Sequence, residues 1–217
     1  MPTIPYLVQQ PQQTRSRETM SKMLNAAAQI LETKTFEELT IAEVVQQTGT
    51  SVGAFYGRFK DKDALLQALD ERFFQELEEA ITALLTPSNW AGKSISYIIE
   101  GVTRLMVQTY SKDKGVLRSL NLKARLYGDP RFKKREQRAW NELFPRLQDT
   151  LLSHQDEITH PNPSLATHLG AQQMFFTMRE ILLWEPLRED VPYDNEELIA
   201  ELTRAYLAYL GVQEPTP

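Results

Sequence analysis

Apolar residues recur every three to four positions along most of this chain, and short polar or Pro/Gly breaks separate the recurrences. That period belongs to α-helices with one buried face. Met20, Met23, Leu24, Ala27 and Leu31 mark the first such face, in a helix expected from Arg17 to about Thr33. Phe36 and Leu39 tuck the next connection beneath the segment after it. From Lys62 to Leu85, the residues Leu65, Leu69, Phe73, Leu77 and Ile81 stand four apart and predict one long helix. Thr86 to Gly92 is a break. A helix from Ser94 to Tyr110 carries Ile95, Ile98, Ile99, Val102, Leu105 and Met106 on one side. A shorter one spans Gly115 to Tyr127, and Pro130 opens another that runs to about His154. Leu143, Phe144, Leu147 and Leu151 point inward there, and Pro145 is expected to kink it. Residues 165–184 are apolar nearly all round, so this helix needs cover on both sides. Residues 196–210 form the last helix. No strand pattern competes, and the expected fold is all-α, with about nine helices.

One stretch, Thr40 to Leu66, has local signals that agree with one another. Thr40 caps a short helix and Glu43 completes a capping box. Gly49 is free to take the left-handed conformation that stops a helix. Ser51 caps the next helix, expected over 51–58, and Phe55 and Phe59 give it an inward face. Asp61 and Asp63 suit the start of the long helix beyond it. Two short helices around a tight glycine turn, the second led by small residues, have the form of a DNA-reading helix-turn-helix.

The run TSVGAFYGRFKDKDALL resembles the recognition segment of the TetR/AcrR family of bacterial transcriptional regulators. Gly49, Ser51, Gly53, Phe55, Tyr56, Phe59, Lys62 and Leu65 carry the match in order and spacing, and Thr40, Ile41 and Val44 fit the preceding helix. The motif covers about an eighth of the chain. Thr48 departs from the family's usual Ala, and Gly57 lies within the second helix at a propensity cost of roughly 1 kcal/mol relative to Ala. Residues 1–14 are rich in Pro and Gln and have no periodicity, and a flexible arm is expected there. The resemblance implies a three-helix DNA-binding head over 15–62. It also implies a helical effector-binding and dimerisation body over 63–217.

Bulk properties narrow the chemistry. The 217 residues contain no cysteine, which excludes disulfides and suits a reducing, cytoplasmic setting. No apolar run reaches the roughly 18 residues that span a bilayer. Net charge is −5, unevenly spread: residues 112–146 hold 11 basic and 4 acidic side chains, and residues 147–217 hold 3 and 12. The head is near neutral, so DNA binding there needs a few placed phosphate contacts rather than a broad basic field. The candidate DNA contacts are Thr40, Thr50, Ser51, Val52, Gly53, Ala54, Tyr56, Gly57, Arg58 and Lys62. The small front residues suit close approach to the groove floor and thymine methyls. Tyr56 suits a phosphate, Arg58 a guanine, and Lys62 the backbone from outside. Arg15 and Arg17 would let the arm reach the minor groove.

Met106, Tyr110, Tyr127, Trp140, Phe144, Met174, Phe175 and Met178 are candidates to line a pocket for a largely apolar effector, though such residues at helical spacing are more often core. The basic cluster Arg131, Lys133, Lys134, Arg135 and Arg138 raises an acyl-CoA-like anion as a sharper alternative, against a solvated helix face. His154 and His160 match no metal-ligand spacing, no nucleophile–base set stands out, and no cofactor is expected. The expected protein is a homodimer, paired through helices 165–184 and 196–210, that represses at a palindromic operator until an effector releases it. A non-switching architectural DNA-binding protein, or a ligand-binding protein or enzyme with a vestigial head, stays open.

Overall fold

A computed structural model describes residues 12–184 and 194–212. Among the described residues there are nine α-helices and no strand. They are α1 (Gln12–Leu31), α2 (Ile41–Thr48), α3 (Val52–Tyr56), α4 (Lys62–Leu84), α5 (Ile95–Lys112), α6 (Lys114–Asn121), α7 (Pro130–Leu152), α8 (Pro163–Leu183) and α9 (Asn195–Leu210). The chain divides into two compact units, a head ending at Leu69 and a body beginning at Asp70. The division falls inside α4, beyond the expected 62. Helix α1 begins at Gln12, so residues 12–14 of the expected arm are helical. Residues 1–11 of that arm lie outside the described residues.

In the head, α1 packs on α2 and α2 on α3. Met23, Ala27, Leu31, Leu39, Val44, Phe55, Phe59, Leu65 and Leu66 form its core, each almost without solvent exposure. A bare helix-turn-helix has no interior. The α1 stripe and the first turns of α4 supply one, and burial of each of its Met, Leu, Val and Phe side chains is worth about 1.5–3 kcal/mol.

The body is a bundle in which α5, α8 and α9 pack most closely together. Small residues permit that approach. At Gly170 of α8, a Cβ would collide with the Tyr206 ring of α9, and the Tyr206 hydroxyl donates to Thr167 O at 2.5 Å. Burial pushes that hydroxyl's pKa well up. Across the body, both oxygens of Glu157 accept from Ile95 N at 3.1 Å, so a carboxylate beyond α7 caps the start of α5. Pro145 lies within the continuous α7. Among the described residues no helix is long and apolar enough to cross a membrane.

The segment expected as one helix over 115–127 is interrupted. Helix α6 stops at Asn121, and Leu122–Leu126 widens into a π-turn, closed by Tyr127 N donating to Leu122 O at 3.2 Å. Gly128, at φ +64°, ends it.

Candidate nucleic-acid interface and body cavity

Helix ends fix the geometry of the outer head. At the start of α2, Glu43 N donates to Thr40 Oγ1 at 3.2 Å and Thr40 N donates to Glu43 Oε2 at 3.0 Å, the reciprocal capping box. The Lys34 ammonium also pairs with Glu43, and this pairing with the Thr40 bonds holds the carboxyl down to about 2. Gly49 has φ +64° and φ is its whole constraint, since a Cβ there would meet nothing within 4 Å. Its N–H and that of Thr50 return to the last carbonyls of α2, with Thr50 N to Val45 O at 2.9 Å. Thr48, where the family usually has Ala, donates its hydroxyl to Val44 O at 2.9 Å and lies 2.7 Å from Thr50 Oγ1. The polar departure is thereby satisfied inside the turn.

Ser51 Oγ then accepts from Ala54 N at 3.1 Å and opens α3. Phe55 and Phe59 turn inward with ring centroids 5.3 Å apart. The opposite face is left open: Val52 is 50% and Tyr56 56% exposed, with Ser51, Gly53 and Gly57 exposed around them. An exposed apolar and aromatic pair four residues apart, at the front of a small-residue helix, is a surface suited to base edges and a phosphate. Helix α3 is shorter than the expected 51–58. It ends at Tyr56, with Gly57 as a helix-like cap at φ −71°, because Arg58 N and Phe59 N both turn back to Phe55 O at 2.9 Å.

Two expected DNA side chains are engaged elsewhere. Arg58 Nη1 donates to Ala54 O at 2.8 Å and its Nε to Ser16 O at 3.3 Å, which ties α3 to α1. The Lys62 ammonium donates to Phe36 O, Glu37 O and Leu39 O at 3.0, 3.1 and 2.7 Å, and lies over the Phe36 ring. An ammonium has three protons. All three are directed at the α1–α2 connection, so Lys62 holds that loop closed rather than reaching outward. Thr40 is exposed, but its hydroxyl proton and its backbone N–H both go to Glu43; Thr50 and Ala54 are half-buried. Lys60, exposed just beyond the turn, is a cation that the motif gave no role.

The body contains a cavity of about 100 Å³, counted as space open to the centres of water molecules. A water centre needs about 10–15 Å³, so the space holds several waters or one small ligand. Its walls come from α4, α5, α6, α7, α8 and the π-turn. Of the residues considered for a pocket, Met106, Tyr110, Trp140, Phe144, Met174 and Phe175 line it. Trp140 stacks on Phe144 with centroids 3.6 Å apart and meets Phe175 edge-on at 4.8 Å.

Tyr127 and Met178 do not line it. By the ordinary helical period Tyr127 would share a face with Leu120 and Ala124, both on the wall. The π-turn inserts extra backbone, each residue of which rotates the chain beyond it by roughly 100°, and leaves Tyr127 57% and Leu126 69% exposed. Met178 is fully buried but packs away from the space, and Arg179, the next residue, reaches the wall instead. The polar lining is Asp70, Asn121 and Arg179, none of them expected there from the sequence. Asp70 and Arg179 are only 2% and 6% exposed. Each had a signal: Asp70 sits inside the Leu66–Phe73–Phe74–Leu77 stripe, and Arg179 is the one cation of α8. Arg179 lies 4.9 Å from the Phe176 ring centroid. Of the basic cluster, Arg131 forms two bonds to Asp129 and Arg138 two to Glu142, and none of the described members lines this cavity.

Residues 23–69 match the family model described as bacterial regulatory proteins, tetR family. No curated protein matches the sequence. The fold is similar to that of a bacterial regulatory protein in the tetR family from Rhodococcus RHA1, with TM-score 0.68 and 16% identity over 91% of this chain and 99% of that one. It is similar to the TetR family transcriptional regulator PfmR from Thermus thermophilus, with TM-score 0.63 and 16% identity over 89% and 100%. It is also similar to the fatty acid degradation regulator FadR from Bacillus halodurans, with TM-score 0.67 and 17% identity over 90% and 97%.

Proposed function

The chain carries a TetR-family head on the fold of TetR-family transcriptional regulators, and from that premise we propose that it is a cytoplasmic repressor, homodimeric and released from a palindromic operator by a small effector. The observation that carries the reading is the outward face of α3. Val52, Gly53 and Tyr56 stand open on a head whose own core is complete without them. In this reading Ser51, Val52 and Gly53 approach base edges, Tyr56 and Lys60 anchor phosphates, and Arg58 and Lys62 hold α3 and the α1–α2 loop in place for them. One head this small covers too little groove for tight specific binding, so two heads on two half-sites are required. Helices α8 and α9 are the proposed dimer faces.

The effector site is the aromatic cavity of the body. Helix α4 supplies Phe73, Phe74, Leu77 and Ile81 to its wall and, in the same continuous helix, Leu65, Leu66 and Leu69 to the core of the head. An effector that binds unequally to two placements of α4 would shift DNA affinity. The cavity also favours a switching regulator over an architectural protein, which has no use for one.

The direct test is fluorescence anisotropy with DNA flanking the protein's own gene, over a salt series. We expect preference for one palindromic segment, with affinity falling steeply as salt rises. Binding that shows no preference among sequences, or none that depends on salt, would sink the reading.

A further inference from the structure

A second hollow of about 180 Å³ lies between α4 and α7, lined by Glu71, Phe74, Gln75, Glu78, Arg138, Glu142 and Leu143. Phe74 and Leu143 also line the aromatic cavity, so the two spaces share a wall. The α4 members are at i, i+3, i+4 and i+7, one face of that helix. They alternate acidic, aromatic, amide and acidic. Among the described residues no other helix approaches the α4 backbone as closely as α5, α8 and α9 approach one another. Helix α4 stands off the bundle on large side chains, and the hollow is the gap this leaves. Phe74 is half-buried between the gap and the cavity.

The charge lining the hollow is net negative. The hollow holds three carboxylates, Glu71, Glu78 and Glu142, and one cation, Arg138, which is already bonded to Glu142 at 2.9 and 3.0 Å. The cavity behind it holds one buried acidic and one buried basic side chain, Asp70 and Arg179. The rest of the lining is mostly apolar, and seven of its residues are aromatic, Phe73, Tyr110, Trp140, Phe144 and Phe175 among them. Aromatic rings attract cations, and a cleft with an excess of one sign of charge concentrates ligands of the other. The one cation in the lining of the hollow, Arg138, is engaged with Glu142, so an acyl-CoA-like anion would meet an excess of carboxylates there.

We propose that the gap between α4 and α7 is the mouth of the effector cavity, and that its carboxylates select apolar aromatic molecules bearing a protonated amine over isosteric anions. This rests on the reading of the cavity as an effector site. It also gives the switch a place to act, because a ligand seated at Phe74 touches the helix that continues into the head.

Three probes of one shape separate the possibilities: 2-(1-naphthyl)ethylammonium, 2-(1-naphthyl)ethanol and 1-naphthylacetate. Each is titrated into the full-length protein at neutral pH and low salt, with binding read by isothermal titration calorimetry. We expect the ammonium to bind at least tenfold more tightly than the acetate, with the alcohol between them and the ratio shrinking in high salt. In the Glu71→Gln/Glu78→Gln double variant the ammonium-to-acetate ratio should fall severalfold. Phe144→Ala should weaken all three probes together. Equal or tighter binding of the acetate, or a ratio unmoved by the double variant, overturns the charge selection while leaving the cavity as the effector site. Failure of even the neutral alcohol to bind, or binding indifferent to Phe144→Ala, overturns the cavity reading and the proposal with it.

Discussion

Glu43 makes its contacts at the one point where the connection from α1 becomes α2. Its carboxylate accepts from Thr40 N at 3.0 Å and from the Thr40 hydroxyl at 2.7 Å, and it pairs with Lys34. The Lys34 pairing is the larger cause, with the Thr40 bonds behind it, of a pKa lowered from the ordinary 4.5 to about 2. A carboxyl whose folded value is depressed contributes stability above its unfolded value and loses it as pH falls toward the folded one. The contribution of Glu43 is therefore complete above about pH 4.5 and fades down to about pH 2. Glu43→Gln keeps a side chain able to bond Thr40 but removes the charge. Its melting temperature should lie below that of the parent at pH 7 and converge with it as pH falls through that window. Parallel curves across the whole pH range would show that the Lys34 and Thr40 contacts do not stabilise the head as described.

Gly170 raises the same question between whole elements, since it sets how closely α8 and α9 approach. A Cβ there would run into the Tyr206 ring, which is 3% exposed and fixed at its far end by the bond to Thr167 O. The ring cannot yield without breaking that bond or separating the helices. Gly170→Ala should cost about 1–3 kcal/mol, as overpacking does, a fall of roughly 2–4 °C per kcal/mol for a chain of this size. Tyr206→Leu, which removes the colliding ring, should make the second substitution far less damaging. If the two losses simply add in the double variant, measured by thermal unfolding, the collision is not the cause. The elements themselves were legible in the sequence. Capping pairs such as Thr40 with Glu43 are local signals, and four-residue apolar spacing fixed the long α4. What could not be read depends on partners distant in sequence. Lys62 looks like a surface cation until Phe36, Glu37 and Leu39 present their carbonyls to it. Arg58 is the same case with Ser16. Tyr127 was misplaced because a π-turn leaves no periodic trace, and Glu157 caps α5 from 62 residues away.

At the scale of the molecule, the apolar perimeter of α8 is not completely covered among the described residues. Leu165 is 51% and Phe176 40% exposed, and on α9 the small residues Ala200, Ala205 and Ala208 are open to solvent. Small exposed side chains beside exposed apolar ones let another helix approach closely, and large exposed apolar patches mark interaction sites. A second copy of the chain supplies the missing cover if α8 and α9 meet their counterparts about a two-fold axis, an arrangement in which one patch serves both subunits. Ala208→Arg puts a long cation at that face and, by the axis, opposite another of its kind. Light scattering should then report the mass of a single chain in place of a dimer, with helical content by circular dichroism unchanged. Operator affinity should fall toward the non-specific range, roughly 10³-fold or more, because a lone head reads one half-site. Residual binding should keep its salt dependence, since a single head would retain the proposed phosphate contacts of Tyr56 and Lys60. A variant that stays dimeric and holds its operator would place the subunit contact on another surface and remove α9 from it.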